Sequence, residues 1–154
     1  MVGNAGSAAR LPRLRGVTEV PHPEEPGWEM RLHAADIWVE EGAILTQRDE
    51  VRDIMLAAAE AGGATVLGEQ FVSFPNGAFT GVLVLAQSHL SIHTWPELHL
   101  ANVDLLSYGT LGADEIIDTI ARGLGAVSVQ TERITRGVER SPRSRTAPQR
   151  SPAT

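Results

Sequence analysis

Residues 87–97 read Gln87-Ser88-His89-Leu90-Ser91-Ile92-His93-Thr94-Trp95-Pro96-Glu97. Two serines, two of the five histidines, a tryptophan and a carboxylate are gathered here, directly after residues 81–86, an apolar run that predicts a buried strand. Ile92 and Thr94 favour strand through the polar stretch as well, and Pro96 argues against a helix. A polar cluster at the end of a buried strand calls for an explanation, and a functional site is one of the hypotheses.

A metal site is the first hypothesis for this stretch. His89 and His93 stand four residues apart, which on a helix would let them share one ion. On a strand they share a face but lie about 13 Å apart, at roughly 3.3 Å per residue. Zinc–nitrogen bonds are about 2 Å, so this pair does not hold a single ion and we expect no metal.

A serine hydrolase is the second reading, with Ser88 or Ser91 paired to a histidine and Asp104. The chain has no G-x-S-x-G elbow, and the residue order fits no hydrolase template. Spacing alone favours an ordinary strand, in which Leu90 and Ile92 are buried and the histidines are exposed.

Composition narrows the chemistry further. The chain has no cysteine, which excludes a disulfide framework and thiolate chemistry. All 13 basic residues are arginines, so a lysine Schiff base is excluded, and pyridoxal phosphate chemistry with it. If the protein handles amines through an imine, the carbonyl must come from elsewhere.

Charge separates a body from two tails. Residues 28–133 carry 15 acids and 5 arginines, a net charge of −10, which argues against a nucleic-acid partner. We expect one domain at 28–134 between a disordered leader, 1–27, and a disordered basic tail, 135–154. No apolar run approaches the roughly 20 residues of a membrane span, and no signal peptide is recognisable. The expectation is a soluble cytoplasmic protein without membrane contact.

The remaining elements follow from periodicity and turn signals. Helices are predicted at 47–61, with Thr46 as its cap, and at 113–124. Strands are predicted at 30–40, 64–74, 79–86, 98–108 and 126–134, besides the one in the opening stretch. The last strand should turn Val127 and Val129 inward. The order β-α-β-β-β-β-α-β predicts an α+β fold, a mostly antiparallel sheet with two helices on one face. The other face needs cover, which self-association would give.

The opening stretch resembles the processing segment of the bacterial and archaeal S-adenosylmethionine decarboxylase family, whose pattern is close to E-S-H-[IL]-[ST]-I-H-T-W-P-E. The resemblance extends to Phe74-Pro75, Thr80-Gly81, Val103-Asp104 and Gly109. It covers about residues 30–133. An eleven-residue match with one clear difference is a specific signal.

The resemblance implies a self-made cofactor. In that family a serine attacks the carbonyl of the preceding residue, the chain is cut, and the new N-terminus becomes a pyruvoyl group that forms a Schiff base with the substrate. It assigns the serine to Ser88 and the cut to the Gln87–Ser88 bond. His93 stands at the position of the processing base, a role that suits imidazole at neutral pH. Thr80 stands where the family has an assisting hydroxyl. A regular strand points Ser88 and His93 to opposite faces, so we expect a bend or bulge near Ser88.

The resemblance also implies substrate contacts. Phe74 matches an aromatic residue that stacks on adenine, and Glu97 a carboxylate that holds the ribose hydroxyls; Leu90 is a third candidate. Two residues depart from the pattern. Gln87 replaces a glutamate, and Tyr108 replaces the cysteine that donates the catalytic proton, with Ser107 next to it as another candidate donor.

The function implied is decarboxylation of S-adenosylmethionine to an aminopropyl donor for spermidine biosynthesis. Two alternatives stay open: a pyruvoyl-dependent arginine or ornithine decarboxylase, and an unprocessed relative that acts as a binding or regulatory subunit. The resemblance further implies at least a dimer, with sheets packed face to face in an αββα sandwich and active sites that draw residues from both copies.

Overall fold

The computed structural model describes residues 29–137. The strands are β1 (Met30–Val39), β2 (Val66–Ser73), β3 (Phe79–Leu85), β4 (Ser88–Trp95), β5 (Leu100–Tyr108) and β6 (Ala126–Arg136). The α-helices are α1 (Arg48–Ala61) and α2 (Ala113–Leu124), and 3-10 helices lie at Gly42–Thr46 and Pro96–Leu98. The predicted leader, 1–27, and residues 138–154 of the predicted tail lie outside the described residues.

The six strands form one sheet in the order β2-β3-β4-β5-β1-β6. Every neighbouring pair described is antiparallel. Alternate strand residues such as Ile37, Leu90 and Val103 are fully buried and join the buried faces of α1 and α2 in one core. The predicted α+β fold, with both helices on one face of a mostly antiparallel sheet, is confirmed.

The two helices bury the stripes that their periodicity predicts, with Val51 and Met55 on α1 and Ile116 and Ile120 on α2 all inaccessible to solvent. The predicted cap of α1 is wrong. Thr46 ends the 3-10 helix before α1, and its hydroxyl donates a 2.8 Å hydrogen bond back to the carbonyl of Ala43. The N-cap of α1 is Gln47, one residue later, and no side chain there bonds to the first amides of the helix.

A glycine lets the two helices approach each other closely. A Cβ placed on Gly123 of α2 would lie 2.7 Å from Cγ2 of Ile54 on α1. Such a separation is too short for two carbon atoms, so the contact requires glycine at this position. The helices therefore form one tightly packed layer over the sheet.

The opposite face of the sheet, here called the open face, has no helix over it among residues 29–137. It presents apolar side chains, Leu32, Val82, Val84 and Leu106 among them, beside histidines and serines of β4. Val84 is 48% exposed and Trp95 39% exposed. A sheet face that is partly apolar and uncovered is a surface suited to association.

The prediction that Val127 and Val129 of β6 are core residues is wrong, although Val129 pairs with the buried Ile37 and lies on the helix side of the strand. Val127 and Val129 are 64% and 42% exposed. The reason is topological, because β6 pairs only with β1 and forms an edge of the sheet, where its first residue, Ala126, packs against the core while the residues after it are exposed. None of the helices in the described part of the chain is long and apolar enough to cross a membrane.

Candidate active site

The β3–β4 hairpin turns through Ala86 and Gln87, here called the tip, and β4 begins at Ser88, which pairs with Leu85. Ser88 has a φ of 131°, in a region that residues with a side chain seldom occupy. Such a conformation costs on the order of 1–3 kcal/mol. The expected bend near Ser88 is therefore present, whereas the β3–β4 ladder runs without a bulge.

Ser88 contacts its neighbour rather than the expected base. Its Oγ lies 3.3 Å from Nδ1 of His89. Successive side chains on a strand point to opposite faces, so this contact shows that Ser88 has left the regular pleat. His93 pairs with Thr80 at the other end of the ladder, five residues away, which corresponds to about 16 Å. The bend alone does not bring Ser88 and His93 of one chain together.

Two further groups surround the tip. The hydroxyl of Tyr108 donates a 3.2 Å hydrogen bond to the carbonyl of Ala86. The side-chain oxygen of Gln87 is buried and has no hydrogen-bond partner in the described structure. Buried polar atoms are nearly always paired, so an orphaned acceptor beside a strained serine distinguishes this turn from an ordinary hairpin.

A second cluster, the His93 cluster, lies at the far end of the hairpin. Thr80 Oγ1 and His93 Nδ1 share a hydrogen bond of 2.5 Å. The ring of Trp95 meets His93 edge-on at a centroid distance of 4.5 Å, and the ring of Phe74 lies 6.0 Å away on a tilted plane. The cluster thus holds an imidazole with one nitrogen engaged and aromatic side chains around it.

The candidate substrate contacts divide between surface and core. Phe74 is 42% exposed and Glu97, in the 3-10 helix after β4, is exposed, so both can reach a ligand. Leu90 is fully buried and faces the helices. Its side chain contributes to the core, which leaves only its backbone to meet a ligand on the open face.

A hydrogen-bonded row crosses the open face beside the His93 cluster. The indole of Trp95 donates to Oδ1 of Asn102 at 2.7 Å, and the amide of Asn102 donates to Oδ1 of Asp36 at 2.7 Å. The sequence gives no local sign of this row, because its members come from three strands. It fixes the Trp95 ring against His93.

Ser107 lies on the other side of the sheet from Tyr108. It is only 5% exposed and lines a cleft of about 210 Å³ at the start of α2, together with His33. Burial lowers the pKa of His33, and the guanidinium groups of Arg133 and Arg31 lower it further against the opposing effect of Asp114. Strand alternation thus separates Ser107 from the open face, where the tip and the His93 cluster lie.

The sequence model of S-adenosylmethionine decarboxylase matches residues 31–137, which take in the whole sheet apart from Met30 together with both helices. The chain belongs to the S-adenosylmethionine decarboxylase family. The structure is also similar to the crystal structure of the adenosylmethionine decarboxylase from Aquifex aeolicus, with a TM-score of 0.67 and 26% identity over 77% of this chain and 98% of that one.

Curated members of the S-adenosylmethionine decarboxylase family are similar over most of the described region. The proenzyme of Caldanaerobacter subterraneus is 37% identical over 109 residues, which is 70% of this chain and 88% of the relative. That of Thermococcus gammatolerans is 36% identical over 97 residues, 62% of this chain and 68% of the relative. The word proenzyme in both names describes a precursor that is processed.

The S-adenosylmethionine decarboxylase family implies a pyruvoyl group, and the residues at the tip fit its formation. A serine hydroxyl is present at the start of β4, its backbone is strained, and the preceding residue stands in a half-buried turn. Residues 29–137 contain no group of three or more histidines and acids placed to hold a metal ion.

Proposed function

We propose that this protein is a self-processing, pyruvoyl-dependent decarboxylase that converts S-adenosylmethionine to the decarboxylated aminopropyl donor of polyamine biosynthesis. The observation that carries the proposal is Ser88, a hydroxyl residue held at a φ of 131° directly after a two-residue turn, within the family's processing pattern. Strain stored at the bond to be cut is released when that bond breaks.

In the proposed processing, Ser88 Oγ attacks the carbonyl carbon of Gln87 and the amide becomes an ester. A base then removes the α-proton of Ser88, and the Cβ–Oγ bond breaks. Gln87 leaves as a carboxylate, and the dehydroalanine left at position 88 takes up water and releases ammonia to give the pyruvoyl group. That group supplies the electron-accepting carbonyl that a chain without lysine does not otherwise have.

His93 is the proposed base, and we propose that it comes from a second copy. Within one chain it stands about 16 Å along the ladder from Ser88. Two open faces packed in opposite directions would bring the His93 cluster of one chain to the tip of the other. Thr80 engages Nδ1, which leaves Nε2 of His93 to accept the proton. The proposed unit is thus at least a dimer, with the sheets face to face.

The substrate assignment rests on Phe74 and Glu97. A partly exposed aromatic ring suits adenine stacking and the attraction of a sulfonium cation. An exposed carboxylate offers two acceptor oxygens to the paired hydroxyls of a ribose. A carboxylate also suits the cationic side chains of arginine and ornithine, so those two amino acids are the competing substrates.

Intact-mass measurement tests the processing. The protein should separate into chains 1–87 and 88–154, the second with a blocked terminus, and Ser88→Ala should stay uncut because it lacks the attacking hydroxyl. His93→Ala should stall at the ester, which hydroxylamine then cleaves. A chain that remains whole after prolonged incubation would leave the alternative, a binding or regulatory subunit.

Carboxyl-labelled S-adenosylmethionine, arginine and ornithine, offered separately to the processed protein, test the substrate. We expect labelled carbon dioxide from S-adenosylmethionine alone. Release only from arginine or ornithine would overturn the substrate assignment and leave the pyruvoyl chemistry standing. The Ser88→Ala variant is the control, since it should release no label from any of the three.

A further inference from the structure

The two departures from the family pattern, Gln87 and Tyr108, are neighbours in space although 21 residues separate them. His89 pairs with Leu106 in the β4–β5 ladder. Tyr108 lies two residues beyond Leu106, and its hydroxyl bonds to the carbonyl of Ala86, the residue before Gln87. Two unusual residues that meet at the tip, next to the proposed cleavage bond, suggest one shared cause.

The tip is held from both sides. The hydroxyl of Tyr108 donates to the carbonyl of Ala86 at 3.2 Å, and the amide of Ala86 donates to the carbonyl of Thr65 at 2.9 Å. These bonds fix the residue that precedes Gln87 on both of its backbone polar groups. A thiol is shorter than a phenol and a weaker donor, so a cysteine in place of Tyr108 would not make the first of them equally well.

The side chain of Gln87 is suited to this arrangement because it is neutral. Its oxygen is buried without a hydrogen-bond partner in the part of the chain described. A carboxylate at the same place would be a buried charge without a partner, which is far more costly than a buried amide. Tyr108 bonds to the adjacent residue, Ala86, so its side chain lies close to this position.

We propose that Tyr108 is a positioning residue for self-cleavage, whose hydroxyl holds the tip while its ring makes a neutral residue necessary at position 87. Tyr108 and Gln87 thus act as a coupled pair. The inference rests on the proposed self-processing, and it gives Tyr108 a role in forming the active protein rather than in donating a proton to substrate.

Rates of self-cleavage by intact mass, measured in freshly refolded precursor, test the hydroxyl. Tyr108→Phe keeps the ring and removes one hydrogen bond, so cleavage should slow by about fivefold. Unchanged cleavage would overturn the positioning role.

A double-mutant cycle tests the coupling. Gln87→Glu should slow cleavage at least tenfold, and lowering the pH should restore the ratio of variant to unchanged rates, because burial raises the pKa of the introduced carboxyl. In the Tyr108→Cys background water reaches position 87, so the same change should cost less than threefold and show no such pH dependence. Gln70→Glu, which adds the charge at an exposed position of β2, is the matched control and should change neither rate.

The outcomes separate the two proposals. If the unchanged protein does not cut itself, the proposed function fails. If it does, and the effects of the two substitutions simply multiply at every pH, the coupled pair is wrong while self-processing stands. Thermal unfolding of each variant in the uncut Ser88→Ala background shows whether it is folded, and Tyr108→Phe supplies the test of the hydroxyl if Tyr108→Cys does not fold.

Discussion

At the scale of single residues, the site consists of two half-sites on one sheet face. The strained Ser88 directly follows the tip. The His93 cluster contains an imidazole whose Nδ1 is hydrogen-bonded to Thr80. In the proposed function each half-site has what the other lacks, a nucleophile at one end and a base at the other. This division of groups supports a second copy of the chain as part of the site more directly than any single distance does.

The Thr80 hydroxyl can be tested without disturbing the strand. Thr80→Val keeps the branched shape and removes the hydrogen bond to His93, so self-cleavage should slow by up to about tenfold. Thr80→Ser restores the hydroxyl and should cleave within about twofold of the unchanged protein. Intact mass over time measures both. Equal rates for the valine and serine variants would show that the hydroxyl has no part in processing.

At the scale of elements, the two helices matter to the site because they hold the back of the sheet in one shape. They cover β1, β3, β4 and β5 from one side and meet each other where Gly123 allows close approach to Ile54. The tip and the His93 cluster lie at opposite ends of one hairpin whose buried side rests on this layer. A substitution that loosens the contact between the helices should therefore lower the stability of the fold more than it changes the reactions at the site.

Gly123→Ala tests this contact. The added methyl would lie 2.7 Å from Cγ2 of Ile54, so the helices must separate, and unfolding should become easier by about 1–3 kcal/mol. The gain of about 1 kcal/mol in helix propensity works in the other direction and reduces the loss. Thermal unfolding gives the difference. Gly68→Ala, where nothing lies within 4 Å, is the control and should be nearly neutral.

At the scale of the whole molecule, the open face is the feature that the single chain leaves unsatisfied. The proposed dimer would cover its apolar side chains and complete two sites at once. The acidic character of the body does not oppose this, because the central strands contribute only Asp36 and Asp104 to the face, and Asp36 already accepts a hydrogen bond from Asn102.

Val84→Asp tests assembly. Val84 is 48% exposed on the open face, so a charge there should cost the isolated chain little but should disrupt the dimer by burying an unpaired carboxylate in it. Sedimentation should show a shift to monomer together with loss of self-cleavage. Val129→Asp, 42% exposed on the helix side of the edge strand, should remain dimeric. A monomeric unchanged protein that still cuts itself would contradict the shared site.

Stability should also depend on pH through His33. Its pKa is lowered in the folded state, mainly by burial, whereas the unfolded chain binds the proton near pH 6.5. The free energy of unfolding should thus keep its full value above about pH 6.5. It should fall as the pH drops toward the lowered pKa that His33 has in the folded state. Denaturant unfolding at several pH values measures it. His33→Gln should flatten the curve in this window, and an unchanged slope would show that His33 does not titrate between the two states.

Local pattern in the sequence was sufficient for the helices, the strands and the chemistry-bearing segment. The stripes of α1 and α2 are visible because a helix repeats every 3.6 residues and buries one side, and most of their apolar residues are buried as this period predicts. The strand through residues 88–95 followed from β-branched residues and a proline. The alternation of side chains along a strand already predicted that Ser88 and His93 point to opposite faces. The predictions for Thr46 and for the valines of β6 were wrong, because a neighbouring turn and an edge position decided the outcome.

What only the tertiary structure decided are the relations between distant segments. The strand order places β1 between β5 and β6. The pairing of β5 with its neighbours brings Tyr108 to the carbonyl of Ala86 and joins Trp95, Asn102 and Asp36 in one row. No local pattern encodes such meetings, because a strand's periodicity fixes which side faces the core but not which strand it pairs with, or at which offset. That offset is set by the packing of the whole sheet against its helices.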